Sequence, residues 1–293
     1  MSRFLVLGSS GSLGSRFGNY LKDFHGTFFH TKPSGAGRYH YVDITQTFDL
    51  KMLIELVKPE VVINCTGYTN VEKCEKFPEK CWNINCSSIV RLAQICRIES
   101  LKFIHISTDH FIQHDSMKMS EDVNIFPSNQ YSFAKLSAER MISAVNPNSL
   151  IIRTNFFGIN VSKPKTFLDQ IIVNIKSGIV VHSFNDVVFS PISINQLIIS
   201  IMELIKINYS GIVNIGSDDS ISKFDFHNMV ISALNMNNDL HTAVSIDDLL
   251  YLAKRPKNMA LDSAKFKSLT GHEIPPICDM INEEIAIGSQ DMG

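Results

Sequence analysis

The sequence predicts an α/β fold in which helices cover both faces of a doubly wound parallel sheet. Short runs rich in apolar and β-branched residues recur along the chain without strict apolar–polar alternation, as is typical of strands buried on both faces. Segments with apolar residues at helical spacing separate these runs. Alternating strands and helices favour parallel pairing, because each helix carries the chain back to the same end of the sheet.

The elements follow from these two patterns. The predicted strands span residues 3–8, 26–31, 60–67, 102–108, 149–158 and 211–216. The helices between them span residues 13–24, 48–59, 81–99 and 131–145. After residue 156 the alternation is less regular, with helices expected near 164–177, 193–207 and 223–235 and a strand near 179–182. We therefore expect a main domain of residues 1–156, completed by about 190–216, and a smaller lobe of about 157–189 and 217–293.

Composition excludes several classes of protein. The 293 residues are 44% hydrophobic and 19% charged, which is too apolar for a disordered chain. A formal net charge of −2 provides no basic excess, so a nucleic-acid partner is not expected. The six cysteines form no C-x-x-C pair, which favours buried reduced thiols over a metal site.

No targeting or membrane segment is expected either. The apolar run at the N-terminus is shorter than the hydrophobic region of a signal peptide. The apolar stretch 192–207 is interrupted by Asn195, Gln196 and Glu203, so it should not span a membrane. We expect a cytoplasmic protein with no membrane partner.

A glycine-rich loop follows the first strand. Gly8, Gly11 and Gly14 stand three apart at the start of a predicted helix. Glycines at this point allow a sharp turn, close approach of a pyrophosphate and tight packing of helix on strand. The loop predicts a Rossmann-type dinucleotide site whose contacts come from Gly8, Ser10, Gly11, Ser12, Leu13 and Gly14.

The segment after the second strand indicates which dinucleotide binds. An NAD site usually carries an acidic residue there for the ribose 2′-hydroxyl, but residues 28–38 contain no acid and include Lys32 and Arg38. Cations suit a 2′-phosphate, so NADPH is the expected cofactor, with Lys32 as a contact; NADH stays possible. The alternative is that both cations are solvated loop charges.

A threonine, a tyrosine and a lysine complete a reductase site. Thr108 ends the fourth predicted strand, at the sheet edge where α/β proteins bind ligands. Tyr131 and Lys135 lie one turn apart on a predicted helix and so share a face. A nearby ammonium lowers the pKa of a phenol toward neutral pH, which suits proton transfer. The threonine hydroxyl could stabilise the oxygen on which negative charge develops. Together with a dinucleotide, these groups predict carbonyl reduction.

These motifs resemble the extended short-chain dehydrogenase/reductase superfamily and, more narrowly, the dTDP-4-dehydrorhamnose reductase family. The segments VDIT (42–45), ISTDH (106–110), YSFAK (131–135) and RTNFFG (153–158) carry the resemblance. It implies that the catalytic residues are Thr108, Tyr131 and Lys135. It implies cofactor contacts from Asp43, Ile44, Cys65, Thr66, Gly67, Tyr131 and Lys135. It implies substrate contacts from Thr69, Val71, Thr108, Asp109, His110 and Phe156.

The chain departs from the family pattern at three positions. His110 stands where the family has a tyrosine, Phe156 where it has a tryptophan, and Ser132 where it often has a glycine. The first two positions should face the sugar. The resemblance therefore supports reductase chemistry more strongly than it identifies the sugar.

The resulting functional prediction is NADPH-dependent reduction of the 4-keto group of a nucleotide-linked 4-keto-6-deoxy sugar, by an enzyme that could be a homodimer. One alternative is a bifunctional epimerase/reductase. Enzymes of that kind place a cysteine soon after the strand-four serine, whereas STDHFIQH follows here, which leaves His110 as the possible enolising base. Another alternative is a non-catalytic, cofactor-binding regulatory subunit, such as the β subunit of methionine adenosyltransferase.

Overall fold

The computed structural model describes residues 2–30, 32–33, 38–113, 118–159, 166–236, 239, 241–249 and 253–290. The strands are β1 (Phe4–Leu7), β2 (Phe24–Phe28), β3 (Arg38–Tyr41), β4 (Val61–Asn64), β5 (Lys102–Ile106), β6 (Phe111–Ile112), β7 (Phe126–Pro127), β8 (Leu150–Thr154), β9 (Phe156–Phe157), β10 (Val181–Phe184), β11 (Val188–Phe189), β12 (Ile192–Ser193), β13 (Gly211–Ile215), β14 (Ile221–Ser222), β15 (His241–Val244) and β16 (Asn258–Met259). The α-helices are α1 (Ser12–Arg16), α2 (Thr47–Val57), α3 (Val71–Lys76), α4 (Pro78–Trp82), α5 (Ser88–Ile98), α6 (Gln130–Val145), α7 (Phe167–Lys176), α8 (Ile194–Lys206), α9 (Lys223–Ala233), α10 (Ala264–Thr270) and α11 (Ile277–Gln290).

The longest apolar runs form one sheet of seven strands in the order β13-β8-β5-β4-β1-β2-β3. All six neighbouring pairs are parallel. The chain moves outward in one direction from β1 to β3 and in the other from β4 to β13. The reversal leaves a crevice at the carboxyl ends of β1 and β4, where open α/β sheets bind ligands. The predicted doubly wound α/β fold is confirmed.

Alternate side chains of β1 show how both faces of the sheet are covered. Phe4 and Val6 pack in the core that contains residues of α1 and α8. Leu5 and Leu7 pack in a second core, built with α2, α5 and α6. Burial on both faces explains why the strand sequences lack the alternation of a half-exposed strand.

The later part of the chain adds small sheets beside the large one. β10 pairs with β15, and β11 pairs with both β14 and β16. The core on the α1 and α8 side continues into α7, α9 and α11. The division into two lobes with the expected boundaries stays a prediction. Across the described ranges, no helix is long and apolar enough to cross a bilayer.

Near the N-terminus one predicted element is wrong and one strand was not predicted. The helix expected over 13–24 ends at Arg16, a 3₁₀ turn (Phe17–Asn19) follows, and Phe24 already opens β2. Gly18 and Asn19 disfavour helix, and this outweighs the apolar spacing. The sequence also did not predict β3, because an edge strand with exposed ends lacks a continuous apolar run.

The cysteines only partly match the expectation of buried thiols. All six are free. Cys74, Cys81, Cys86 and Cys96 are buried, and Cys65 is half-buried. Cys278 is exposed on α11, so the expectation is wrong at that position.

Candidate active site

A cavity of about 440 Å³ opens at the crevice between β1 and β4. Its walls come from the glycine loop, the segment after β2, the segment after β3, the loop after β4 and the helix that follows. The lining residues are Gly8, Ser10, Gly11, Thr27, Phe28, Phe29, His30, Val42, Asp43, Ile44, Thr45, Cys65, Thr66, Gly67, Tyr68, Lys80 and Ile84.

Two glycines are needed for the shape of this cavity. Gly8 has a φ of +83°, a conformation that other residues rarely adopt. A Cβ on Gly14 would lie 2.3 Å from the Gly8 carbonyl oxygen, so only glycine lets α1 pack this closely on the loop. The first turn of α1 presents N–H groups without intrahelical partners. A loop and helix of this form fit a dinucleotide pyrophosphate.

The structure brings most of the predicted cofactor residues together. Gly8, Ser10, Gly11, Asp43, Ile44, Cys65, Thr66 and Gly67 all line the cavity. Ser12, Leu13 and Gly14 form the start of α1 and are not among the lining residues. Lys32 is exposed and does not line the cavity, so its cofactor contact stays a prediction.

The wall at the end of β2 bears on the choice of dinucleotide. Phe28, Phe29 and His30 form it, and among the described residues Asp43 is the only carboxylate that lines the cavity. The Asp43 carboxylate accepts hydrogen bonds from the N–H and the hydroxyl of Thr45, at 2.9 and 2.7 Å. Arg38 lies outside the cavity, at the start of β3, with its guanidinium 3.4 Å from His25 Nε2. The β2 wall therefore carries no carboxylate to repel a 2′-phosphate.

The loop after β4 is held by a residue that sequence reasoning missed. Asn85 lies in a π-helical turn (Asn83–Ser87) between α4 and α5, where the wider helix turns its side chain toward the loop. Its amide accepts a hydrogen bond from the Tyr68 N–H and donates one to the Tyr68 carbonyl, at 2.8 and 3.0 Å. Such turns inside α-helices are frequent at functional sites. No sequence pattern revealed this one.

The three predicted catalytic residues lie at the carboxyl end of β5. Tyr131 and Lys135 project from α6, and Thr108 follows β5. The Thr108 side chain faces the Tyr131 hydroxyl closely enough to lower its pKa. Lys135 Nζ donates to the Ile106 carbonyl oxygen at 2.7 Å and lies 3.1 Å from His105 Nε2. The structure thus brings the phenol and the threonine together and directs the lysine toward β5.

The electrostatics of this set differ from the expectation. Burial raises the pKa of Tyr131, and the neighbouring Asp109 raises it further. Burial lowers the pKa of Lys135 to about 8. Because Lys135 Nζ is engaged by β5, it does not depress the pKa of the phenol. Tyr131 is therefore protonated at neutral pH, which is the form that a proton donor requires.

A buried ion pair lies one helical turn from Lys135. Glu139, one turn after Lys135 on α6, binds Arg153 of β8 at 2.8 Å. The Ser107 hydroxyl donates to the same carboxylate. All three side chains are buried. The ion pair joins α6 to β8, and the Ser107 hydrogen bond joins α6 to the end of β5.

The expected substrate residues differ in their surroundings. Asp109 is buried and accepts a hydrogen bond from Asn155 Nδ2 at 2.7 Å. His110 Nε2 lies 2.9 Å from Asn129 Nδ2, and the imidazole ring meets Tyr131 edge-on with ring centres 5.9 Å apart. The exposure of the other expected residues differs: Thr69 is exposed, Val71 is buried and Phe156 is half-buried.

Two cations from the later part of the chain also face this region, and neither was predicted. Lys223, the first residue of α9, lies 3.2 Å from the centre of the Phe189 ring and interacts electrostatically with Asp109. Burial lowers the pKa of this lysine and raises that of Asp109. Arg255 forms an ion pair with Glu72 of α3. Since more than 100 residues separate these partners, no local pattern could reveal them.

Residues 2–287 match the family model described as the RmlD substrate binding domain. The probable low-salt glycan biosynthesis reductase Agl14 of Haloferax volcanii is 27% identical over 94% of both chains. A dTDP-4-dehydrorhamnose reductase of Aggregatibacter actinomycetemcomitans is 28% identical over 92% of this chain and 94% of its own.

Solved structures show the same fold. The dTDP-4-dehydrorhamnose reductase of Bacillus anthracis, in complex with NADP, superposes with a TM-score of 0.86 at 21% identity, covering 98% of this chain and 99% of its own. The resemblance expected from the motifs is confirmed at the level of the family. Because the family model covers nearly the whole sequence, the protein belongs to the RmlD substrate-binding-domain family.

Proposed function

We propose that this protein is an NADPH-dependent reductase of the 4-keto group of a nucleotide-linked 4-keto-6-deoxy sugar. One observation carries the proposal: a protonated Tyr131 faces Thr108 one helical turn from Lys135, and Lys135 faces Cys65, which lines the cavity beside the glycine loop. A proton donor and a polarising hydroxyl next to a hydride source are the groups that reduction of a carbonyl needs.

Each residue of the set has a distinct part in the reaction. Tyr131 gives its phenolic proton to the carbonyl oxygen as negative charge develops there. The Thr108 hydroxyl donates a hydrogen bond to the same oxygen and so stabilises that charge. Lys135, when charged, stabilises the phenolate that remains after proton transfer.

NADPH, when bound, supplies the hydride. We assign its pyrophosphate to the glycine loop, its adenine to the walls formed by Asp43 and Ile44, and its nicotinamide side to Tyr131 and Lys135. The carboxylate-free wall at the end of β2 supports NADPH over NADH. The NADP bound to the Bacillus anthracis protein of the same fold supports the same choice.

The relatives support a sugar nucleotide as the substrate. The Aggregatibacter protein acts on dTDP-4-dehydrorhamnose by its name, and the Haloferax protein is named as a glycan biosynthesis reductase. We assign the sugar to the space bordered by Asp109, His110 and Phe156. His110 and Phe156 replace a tyrosine and a tryptophan of the family pattern, so we expect preferences among 4-keto sugars that differ from those of the rhamnose pathway.

The state of His110 weighs against the epimerase alternative. Asn129 Oδ1 accepts a hydrogen bond from the Ser132 N–H, which turns its Nδ2 toward His110 Nε2. The lone pair of Nε2 is therefore occupied. Burial also lowers the pKa of His110 to about 4, so the ring is neutral and a weak base. An enolising base would have to break the bond to Asn129 first.

One experiment separates the three functions. A panel of dTDP- and GDP-linked 4-keto-6-deoxy sugars is incubated with NADPH in D₂O, and the products are identified by NMR. A reductase oxidises NADPH and leaves the sugar carbons next to the keto group free of solvent deuterium. Deuterium at those carbons would reveal an epimerase/reductase. Binding of NADPH without oxidation across the panel would favour a regulatory subunit.

Three further properties are also proposed. We propose that residues 1–156 with about 190–216 bind the cofactor, and that about 157–189 and 217–293 form the substrate lobe. A homodimer and a cytoplasmic location are proposed as well. Limited proteolysis, analytical ultracentrifugation and cell fractionation test these three points.

A further inference from the structure

A buried chain of hydrogen bonds leads from Lys135 to the nucleotide cavity. Lys135 Nζ lies 3.1 Å from His105 Nε2, and His105 Nδ1 lies 2.9 Å from Asn64 Nδ2. His105 and Asn64 are direct neighbours on β5 and β4, and both are completely buried. Asn64 in turn binds Thr66, which lines the cavity. The chain therefore connects the lysine of the proposed reaction to the cofactor site.

The Asn64 amide determines which imidazole nitrogen carries the proton. Asn64 Oδ1 accepts hydrogen bonds from the N–H and the hydroxyl of Thr66, at 3.2 and 2.6 Å. Rotating the amide would set its NH₂ group against the Thr66 N–H, so Nδ2 must face His105 and donate to Nδ1. Burial holds the pKa of His105 well below its usual value, so the ring is neutral. Its single proton therefore lies on Nε2.

A proton on His105 Nε2 determines which protonation form of Lys135 can accept its hydrogen bond. The Nε2–H group points at Lys135 Nζ, and a hydrogen bond between them needs a lone pair on that nitrogen. An amine has a lone pair, whereas an ammonium has only donors. The titratable groups that face Nζ are His105 from β5, Cys65 from the loop after β4, Cys81 from α4 and Glu139 from α6. Glu139 is already bound to Arg153.

We propose that His105 is a positioning residue, which stabilises the neutral amine form of Lys135 and holds its nitrogen against β5 until cofactor binding favours the charged form. The inference rests on the proposed function, because it takes Lys135 as the catalytic lysine. On charging, the amine nitrogen takes up one proton from solvent and loses the hydrogen bond that His105 donates. Thr66 lines the cavity and donates to Asn64, so it connects the proposed cofactor site to this series of hydrogen bonds.

The first test reads the tautomer of His105 in protein without cofactor. Long-range ¹H–¹⁵N NMR correlations identify the protonated ring nitrogen, and the signal lost in His105→Gln provides the assignment. We expect the proton on Nε2 in the wild type. Asn64→Asp should move it to Nδ1, because a carboxylate can only accept. A wild-type ring protonated on Nδ1 would overturn the proposal, whether or not the sugar is reduced.

The second test measures proton uptake on NADPH binding, by calorimetry in buffers of different ionisation enthalpy. Above about pH 8, where Lys135 is neutral, the wild type should take up about one proton. His105→Leu removes the donor that stabilises the amine. The pH at which proton uptake on NADPH binding begins should therefore rise by roughly half to one pH unit. His105→Gln can accept from Asn64 and donate to the amine, so it should retain the wild-type onset.

Ile104→Val is the matched control, since Ile104 lies on the same strand and faces the opposite core. Its onset of proton uptake should equal that of the wild type. Absence of uptake in the wild type, or an unchanged onset in His105→Leu, would overturn the role of His105. Failure to bind NADPH at all would instead refute the proposed function, while the NMR result would still decide the tautomer.

Discussion

Tyr131 illustrates how burial can prepare an acid. Its raised pKa keeps the phenol protonated throughout the neutral range, and the Thr108 side chain faces the hydroxyl. A proton donor in a reduction must begin in this form. In the proposed mechanism, stabilisation of the phenolate is needed only after transfer, when a charged Lys135 would leave β5.

Substitution of these two residues should have different effects. Tyr131→Phe removes the acid and little volume, so turnover should fall roughly 10²–10⁴-fold while the Kd for NADPH stays unchanged. Lys135→Ala should weaken NADPH binding and also slow turnover. Fluorescence titration gives the Kd, and single-turnover kinetics give the rates. A Tyr131→Phe protein that reduces its substrate at near wild-type speed would rule out the catalytic assignment.

Cofactor preference should depend on residues at the end of β2. NADPH should be used with a higher kcat/KM than NADH. His30 lines the cavity there, so His30→Ala should lower the NADPH-to-NADH ratio by roughly tenfold, the cost of one hydrogen bond to a charged phosphate. Lys32→Ala is the comparison, because Lys32 is exposed outside the cavity wall, and a smaller effect is expected. An unchanged NADPH-to-NADH ratio in both variants would show that this wall does not determine the cofactor preference.

At the scale of the element, helix α6 is capped by a residue that makes two kinds of contact. Asn129 caps the helix by accepting a hydrogen bond from the Ser132 N–H at 2.9 Å. Its Nδ2 also binds His110 and donates to the Lys254 carbonyl oxygen at 2.8 Å. The start of α6 and the His110 imidazole are thus both fixed by one side chain.

A matched pair of variants separates these two kinds of contact. Asn129→Ala removes the cap and should lower the free energy of unfolding by about 1–2 kcal/mol. Asn129→Asp keeps an acceptor for the cap but cannot donate to His110, so it should be more stable than the alanine variant and still show a raised KM for the sugar. Denaturant titration and steady-state kinetics provide the two readouts. Equal stability of the two variants would contradict the capping role.

For the whole molecule, the first and last described helices are joined by one buried ion pair. Arg16 of α1 binds Glu284 of α11 at 2.9 Å and donates to the Ile159 carbonyl oxygen at 2.7 Å. Glu284 also accepts from the Ile159 N–H at 3.0 Å. The C-terminal helix is thereby fixed to the helix that follows the glycine loop.

Breaking this pair should destabilise the fold. Glu284→Ala leaves a largely buried guanidinium without its carboxylate, so the free energy of unfolding should fall by roughly 3–5 kcal/mol. Burial raises the pKa of Glu284, so the folded state holds this proton more tightly than the unfolded state. The contribution of Glu284 to stability should then decrease as pH rises through its raised pKa. Glu283→Gln, at the exposed neighbouring position, should change stability by less than about 0.5 kcal/mol at neutral pH. Equal losses in the two variants, measured by denaturant titration across pH, would argue against a special role for the pair.

The sequence by itself determined the features that depend on near neighbours. Apolar runs predicted the strands because β1, β4 and β8 are buried on both faces. The spacing of Gly8 and Gly14 predicted the nucleotide loop because turn geometry and helix packing act over a few residues. The separation of Tyr131 and Lys135 placed both on α6, since one helical turn sets a common face.

Tertiary structure alone decided how these parts meet. The Lys135 side chain of α6 meets His105 and the Ile106 carbonyl oxygen, which β5 supplies. The pairing of Arg16 with Glu284 and the approach of Lys223 to Asp109 join segments that are distant in the chain. Such contacts depend on the order of the strands and the packing of the helices, and local periodicity contains no information about either. The physical reason is that charge and hydrogen-bond partners in a buried site are selected by proximity in space after the core has formed.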